Sequence, residues 1–217
     1  MAAPATQMAP AAPAAPGEEA LAVPRRRFTV DEYYRMAEAG ILSPEERVEL
    51  IDGEILQLSP IGDRHQACVD RLNQLFVRRV GDAAIVRVQG PIRLDDHTEP
   101  EPDLALLRPR PDFYASGHPL PQDVLLVIEV ADTSVAYDRQ IKLPRYAHAG
   151  IPEVWLLILA DPGDPGAGQA SSLEAYREPS PHGYRSVRRY VLGERLAPQA
   201  LPDLSCSVDE LLGAWAR

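Results

Sequence analysis

The chain has 217 residues, 45% of them hydrophobic, which is enough for one domain of ordinary size with a buried core. Its 22 basic and 32 acidic side chains leave a formal net charge of −10 at pH 7. That balance excludes a general nucleic-acid-coating role and requires any such contact to use a local basic surface. The two cysteines, Cys68 and Cys206, form neither a metal-type spacing nor a disulfide framework, so the expected compartment is the reducing cytoplasm.

Residues 1–24 are rich in Ala and Pro, with Pro4, Pro10, Pro13, Pro16 and Pro24. Repeated prolines oppose helix and sheet alike, so this segment reads as a disordered tail. It has no basic n-region and no uninterrupted apolar run, and no later stretch approaches transmembrane length, so no membrane association is expected.

After the tail, Thr29-Val30-Asp31-Glu32 matches a capping box and opens a helix that stops near Gly40. Val48 to Leu58 reads as two strands around Asp52-Gly53, a hairpin signal. His65 to Val80 is an amphipathic helix, with Val69, Leu72, Leu75, Phe76 and Val80 on one face. Arg64, Arg71 and Arg78 recur every seven residues on another face, as a solvated surface or as phosphate contacts. Strands follow at Ala84–Val88, Pro91–Leu94 and Asp103–Leu107, then a long loop through Pro121. Val124–Val130 is apolar without alternation, as expected of a central strand covered on both faces. Asp138–Ala149 is helical and stops at Gly150, with Pro144 either starting its regular part near Leu143 or kinking it. Val154–Leu159 is a further strand, Ser172–Arg177 and Tyr184–Val191 form a peripheral hairpin, and Val208–Trp215 is a closing helix. This order predicts an α/β sandwich with a mixed sheet. The helix between the strands at 124–130 and 154–159 is a natural right-handed crossover, which makes those strands parallel.

Two carboxylates stand out against this background. Asp103 sits at the mouth of the apolar run 103–107, and Glu129 sits inside the run 124–130. A carboxylate in a buried strand is costly unless paired, and a divalent metal is an economical partner for two of them. Lys142 follows Glu129 at the start of the next helix. Together these are the parts of a metal-dependent phosphodiesterase, with Asp103, Glu129 and the Val130 carbonyl holding Mg²⁺ or Mn²⁺ and Lys142 orienting the attacking water. Glu49, between apolar neighbours in its strand, either faces the same site and completes the metal shell or points outward. His65, in the first turn of its helix, is either a structural histidine or a phosphate donor or general base. Asp103 alone could be an ordinary strand-start residue, with Glu99 and Glu101 as competing ligands, and Lys142 alone a surface lysine.

Several segments occur in a familiar order: Glu49-Leu50-Ile51-Asp52-Gly53, Ser59-Pro60 before His65, Pro102-Asp103, Val127-Ile128-Glu129-Val130, and Lys142 through Tyr146 to Gly150-Ile151-Pro152-Glu153-Val154-Trp155. Over residues 26–212 the chain resembles the Uma-type endonuclease family of the restriction-endonuclease-like PD-(D/E)XK superfamily. The resemblance implies a restriction-endonuclease-like core with an added N-terminal helix and hairpin, a divalent metal, and hydrolysis of DNA phosphodiesters. Asp103 matches the aspartate of the first half-motif, Glu129 the acidic residue of the second, and Glu49 an additional acidic position. The superfamily lysine ordinarily lies two positions after the second acid; Ala131 holds that slot, and Lys142 looks like the migrated lysine. Residues 25–217 then form a single nuclease-like domain, and double-strand cutting with one site per chain implies a homodimer. The competing expectations are a catalytically idle nuclease fold used for binding or assembly, and a hydrolase of another phosphate ester.

Overall fold

A computed structural model describes residues 24–160 and 170–213. The disordered-tail expectation for residues 1–24 falls almost wholly outside the described residues, as does the end of the expected 208–215 helix. The centre is a six-stranded mixed sheet of β3 (Ile85–Val88), β4 (Leu104–Leu107), β5 (Val124–Ala131), β6 (Glu153–Ile158), β7 (Ser172–Ser180) and β8 (Gly183–Val191), in that spatial order. All neighbours are antiparallel except β5 and β6, which are parallel as expected.

Every residue of β5 is buried, and alternation sends its side chains to two cores. Leu126, Ile128 and Val130 face α2 (Asp63–Val80) and α5 (Val208–Leu212), where the Phe76 and Trp155 rings meet at 6.3 Å. Val127 and Ala131 face the opposite layer with Tyr146, Ile151 and Leu156. Glu129 lies between Val127 and Ala131, so the pleat directs it into this second, apolar layer.

That layer is built from α3 (Val135–Tyr137), a π turn (Asp138–Lys142) and α4 (Leu143–Ala149). Pro144 explains the π turn. It has no N–H for the Gln140 carbonyl, so the ladder shifts and Leu143 N donates to Asp138 O instead. The side chain of Arg145 donates to the carbonyls of Gln140 and Ile141, at 3.4 and 2.8 Å. Gly150 ends α4 in the left-handed region at φ 83°.

Outside the main sheet, α1 (Val30–Glu38) begins with the expected Thr29/Glu32 capping box. The hairpin of β1 (Val48–Ile51) and β2 (Glu54–Gln57) turns at Asp52-Gly53, both at positive φ (50° and 73°), the signature of a type I′ turn. A side chain at Gly53 would also meet Arg27 Cβ at 2.5 Å, so glycine serves both the turn and the close passage of the incoming chain. A two-residue pair, β9 (Arg195–Leu196) with β10 (Cys206–Ser207), leads into α5.

The expected strand at Pro91–Leu94 is absent. Pro91 has no donor, and the following N–H groups scatter: Ile92 to Pro100 O, Arg93 to Pro119 O and Leu94 to Thr98 O. No helix among the described residues is long and apolar enough to cross a membrane.

Candidate active site

Register brings the two carboxylates together. Leu104 pairs with Ile128 across β4 and β5, so one step earlier Asp103 stands opposite Glu129, on the same face of the sheet. The Asp103 N–H points at Glu129 Oε2 at 3.4 Å, and the Val130 N–H donates to Asp103 Oδ2 at 2.8 Å. Asp103 Oδ2 also accepts from His65 Nε2 at 3.1 Å, reaching from the first turn of α2. A carboxylate only accepts, so Nε2 donates here, and the buried Nδ1 has no hydrogen-bond partner among the described residues.

Lys142 arrives from the end of the π turn. Its ammonium lies 3.2 Å from Glu129 Oε1, 3.7 Å from Glu49 Oε2 and 3.3 Å from the Glu101 carbonyl, at only 6% exposure. The π turn brings residues five apart onto one face, so Tyr137 joins Lys142 at Glu49 and donates to its Oε1. Glu49 is 1% exposed, and its Oε2 also accepts from Glu101 N at 3.1 Å. On the other side of Lys142, Tyr146 donates to Glu129 Oε1 at 2.7 Å.

The electrostatics follow from this burial. Removal from water raises the Glu129 carboxyl above its ordinary range; Lys142 opposes the rise and Asp103 adds to it, and burial wins. Burial works against charge on Lys142, but Glu129, Glu49, Asp138 and Asp103 outweigh it and hold the ammonium above its ordinary value. Asp138 is also raised by burial, and the Tyr146 phenol is raised well above its usual value, first by burial and then by Glu129.

These groups meet at a cavity of about 450 Å³, lined by Asp103, Glu129, Lys142, His65, Asp138 and Arg47 among others. Glu49 is not in the lining; it sits behind Lys142. Of the competing acids, Glu99 turns away to Tyr34 (2.5 Å) and His118 (3.2 Å), and Glu101 contributes its backbone. A larger cavity of about 670 Å³ lies between α2 and residues 195–205, but among the described residues its ionisable lining groups are Arg79, Arg195 and Asp203. Among the described residues, no three or more His, Cys, Asp or Glu side chains gather into a closed metal cage. Mg²⁺, which takes one or two carboxylates and keeps several waters, does not need one. The donor set fits such a cation: two hard oxygen ligands face one another at a cavity, and an added positive charge there would oppose the upward shift of Glu129.

A family model, Uma2, described as "Putative restriction endonuclease", matches residues 30–209. The chain belongs to the Uma2 family. The crystal structure of a putative nuclease of the DUF820 group from Anabaena variabilis is similar, with a TM-score of 0.63 at 16% identity, covering 88% of this chain and 99% of that one. At that identity the likeness speaks for the fold, a mixed sheet flanked by helices. No curated protein matches the chain.

Tyr137 and Asp138 are site neighbours that the Uma2 resemblance and the strand pattern do not single out, and Tyr146 lies in the family-like segment without an assigned role. The helical spacing of Asp138, Lys142 and Tyr146, four residues apart, is the signal that groups two of them with the lysine. Tyr137 falls out of that spacing, and only the π turn brings it in.

Proposed function

We propose that this Uma2 protein is a Mg²⁺- or Mn²⁺-dependent endonuclease that hydrolyses DNA phosphodiester bonds, that residues 25–217 are its single nuclease domain, and that it works as a homodimer. The observation that carries the reading is the meeting of Asp103 and Glu129 across β4 and β5 at an open cavity, with the Lys142 ammonium 3.2 Å from Glu129. Asp103, Glu129 and the Val130 carbonyl would hold the metal. When bound, it supplies Lewis acidity toward a phosphoryl oxygen and makes a nearby water more acidic.

The chain's own groups do the rest. Lys142 orients the attacking water and offsets negative charge on the phosphoryl oxygens in the transition state. Glu49 and Tyr137 fix the ammonium from behind, and Tyr146 occupies one oxygen of Glu129 so that the other faces Asp103. His65 steadies Asp103 through Nε2. One chain contributes one such site, so cutting both strands of a duplex calls for two chains. Light scattering of the free and DNA-bound protein should give the mass of a dimer in at least one state; a monomer in both removes the homodimer.

The metal-dependent part is tested by melting the protein across millimolar Mg²⁺ and Mn²⁺. Wild type should be stabilised in a saturable manner and Glu129→Ala should not. A wild type indifferent to both ions would overturn the reading.

A further inference from the structure

The site just described is lined by more acidic side chains (Glu101, Asp103, Glu129, Asp132 and Asp138) than basic ones, in a chain of net charge −10, and a DNA strand needs cationic contacts on either side of it. The exposed strand β8 is the basic exception. It carries Arg185, Arg188 and Arg189 and no acidic residue, and it is one of the two edges of the sheet. Register fixes where it lies relative to the site. Glu129 pairs with Leu156, Leu156 with Glu174, and Glu174 with Arg189, so Arg189 shares the face of Glu129 three strands away. At ~4.8 Å per strand that is about 14 Å. β5 and β8 also run in the same direction, which puts the end of β8 on the side of the sheet where the cavity opens.

The acid opposite Arg189 does not neutralise it. Both Glu174 oxygens are taken, by Arg139 at 2.5 and 3.1 Å and by Tyr176 at 2.5 Å. Neither Arg185 nor Arg189 has an ion-pair partner among the described residues, whereas Arg188 stacks on Tyr190 and reaches Glu194 at 3.6 Å. Val187 and Val191, on the same face as Arg189, stay 55% and 47% exposed. A free cationic row between exposed apolar side chains suits sugar–phosphate backbone. A second copy of β8, itself carrying three arginines and no acid, would add like charge there rather than offset it.

We propose that the β8 edge, through Arg185 and Arg189, is the docking surface for the phosphate backbone of duplex DNA flanking the bond held at Asp103 and Glu129; this rests on the DNA-nuclease reading. Of the arginines exposed on α2, Arg71 and Arg78 are the rival basic surface, and Arg79 is paired with Glu210.

The test is fluorescence anisotropy of a labelled 30-base-pair duplex with the full-length protein in chelator, as a function of salt. The variants are Arg185→Gln/Arg189→Gln and, separately, Arg71→Gln/Arg78→Gln, each first checked for an unchanged melting temperature. The β8 pair should weaken binding on the order of tenfold and lower the log–log salt slope by about 2, while the α2 pair leaves both near wild type. If the β8 pair binds as wild type does, or if the loss falls on the α2 pair instead, the docking surface is wrong and the DNA reading stands. If wild type binds no duplex and cuts none with Mg²⁺ or Mn²⁺, the DNA reading fails and takes the docking surface with it.

Discussion

Lys142 is held by three acceptors that the fold brings from three places: Glu49 from β1, Glu129 from β5 and the Glu101 carbonyl from the loop before β4. Removing its charge leaves two buried carboxylates facing each other. Lys142→Met should therefore cost roughly 3–5 kcal/mol of folding stability, measured by urea unfolding in chelator. A cost under about 1 kcal/mol would mean that the carboxylates simply take up protons. Glu49 separates two roles that its sequence position leaves open. Placed behind Lys142, it should act on the lysine, so Glu49→Gln should lower kcat while Mg²⁺ affinity by calorimetry stays within about threefold of wild type. A loss of affinity as large as that of Asp103→Asn would make Glu49 a metal ligand. Asp103 and Glu129 were legible because charge in or beside apolar runs is conspicuous, and Lys142 only in combination with them and through the family resemblance. Tyr146 belongs to the family-like segment, but its role was not legible, since a tyrosine on an amphipathic helix reads as core, and here it is core at its ring and polar contact at its hydroxyl.

Elements with a strong local code formed where the sequence placed them. The Thr29/Glu32 box, the Asp52-Gly53 turn, the apolar stripe of α2 and the unbroken apolar run of β5 each carry their own signal. The π turn carries none until Pro144 is asked where the Gln140 carbonyl goes, and the 91–94 segment looked like a strand because composition does not register that its donors lack a common partner. α5 illustrates a short helix held by its ends. Ser207 and Glu210 close a capping box, and Glu210 also accepts from Arg79 of α2. That Arg79 contact, with the Ser207 N–H, holds the Glu210 carboxyl down at about 2. A lowered carboxyl contributes stability that is present above its unfolded value, near 4.5, and is lost as pH falls toward 2. Glu210→Gln, which keeps the capping-box acceptor and loses only the charge, should thus be less stable than wild type at pH 7 by up to about 1 kcal/mol from the Arg79 contact, and the gap should close between pH 4.5 and 2. A gap independent of pH would assign Glu210 a packing role only.

Across the whole molecule, the sheet joins distant parts of the sequence into one line of function. Residues 103, 129 and 142 meet because an antiparallel pair sets Asp103 opposite Glu129 and a crossover returns the chain over the same face. Fold class and parallel pairing followed from the order of elements; the free arginines of β8 did not, because only register tells which acid each one faces and whether that acid is already taken. The central claim is metal-dependent cleavage of DNA at this line of residues. Its most direct test is incubation of supercoiled plasmid with purified protein in Mg²⁺, in Mn²⁺ and in chelator, beside Asp103→Asn and Glu129→Gln. The account predicts nicked and linear plasmid with metal and wild type alone, and intact plasmid in chelator and with both variants. Cleavage that persists in the variants or in chelator, or an intact plasmid under every condition, would contradict it.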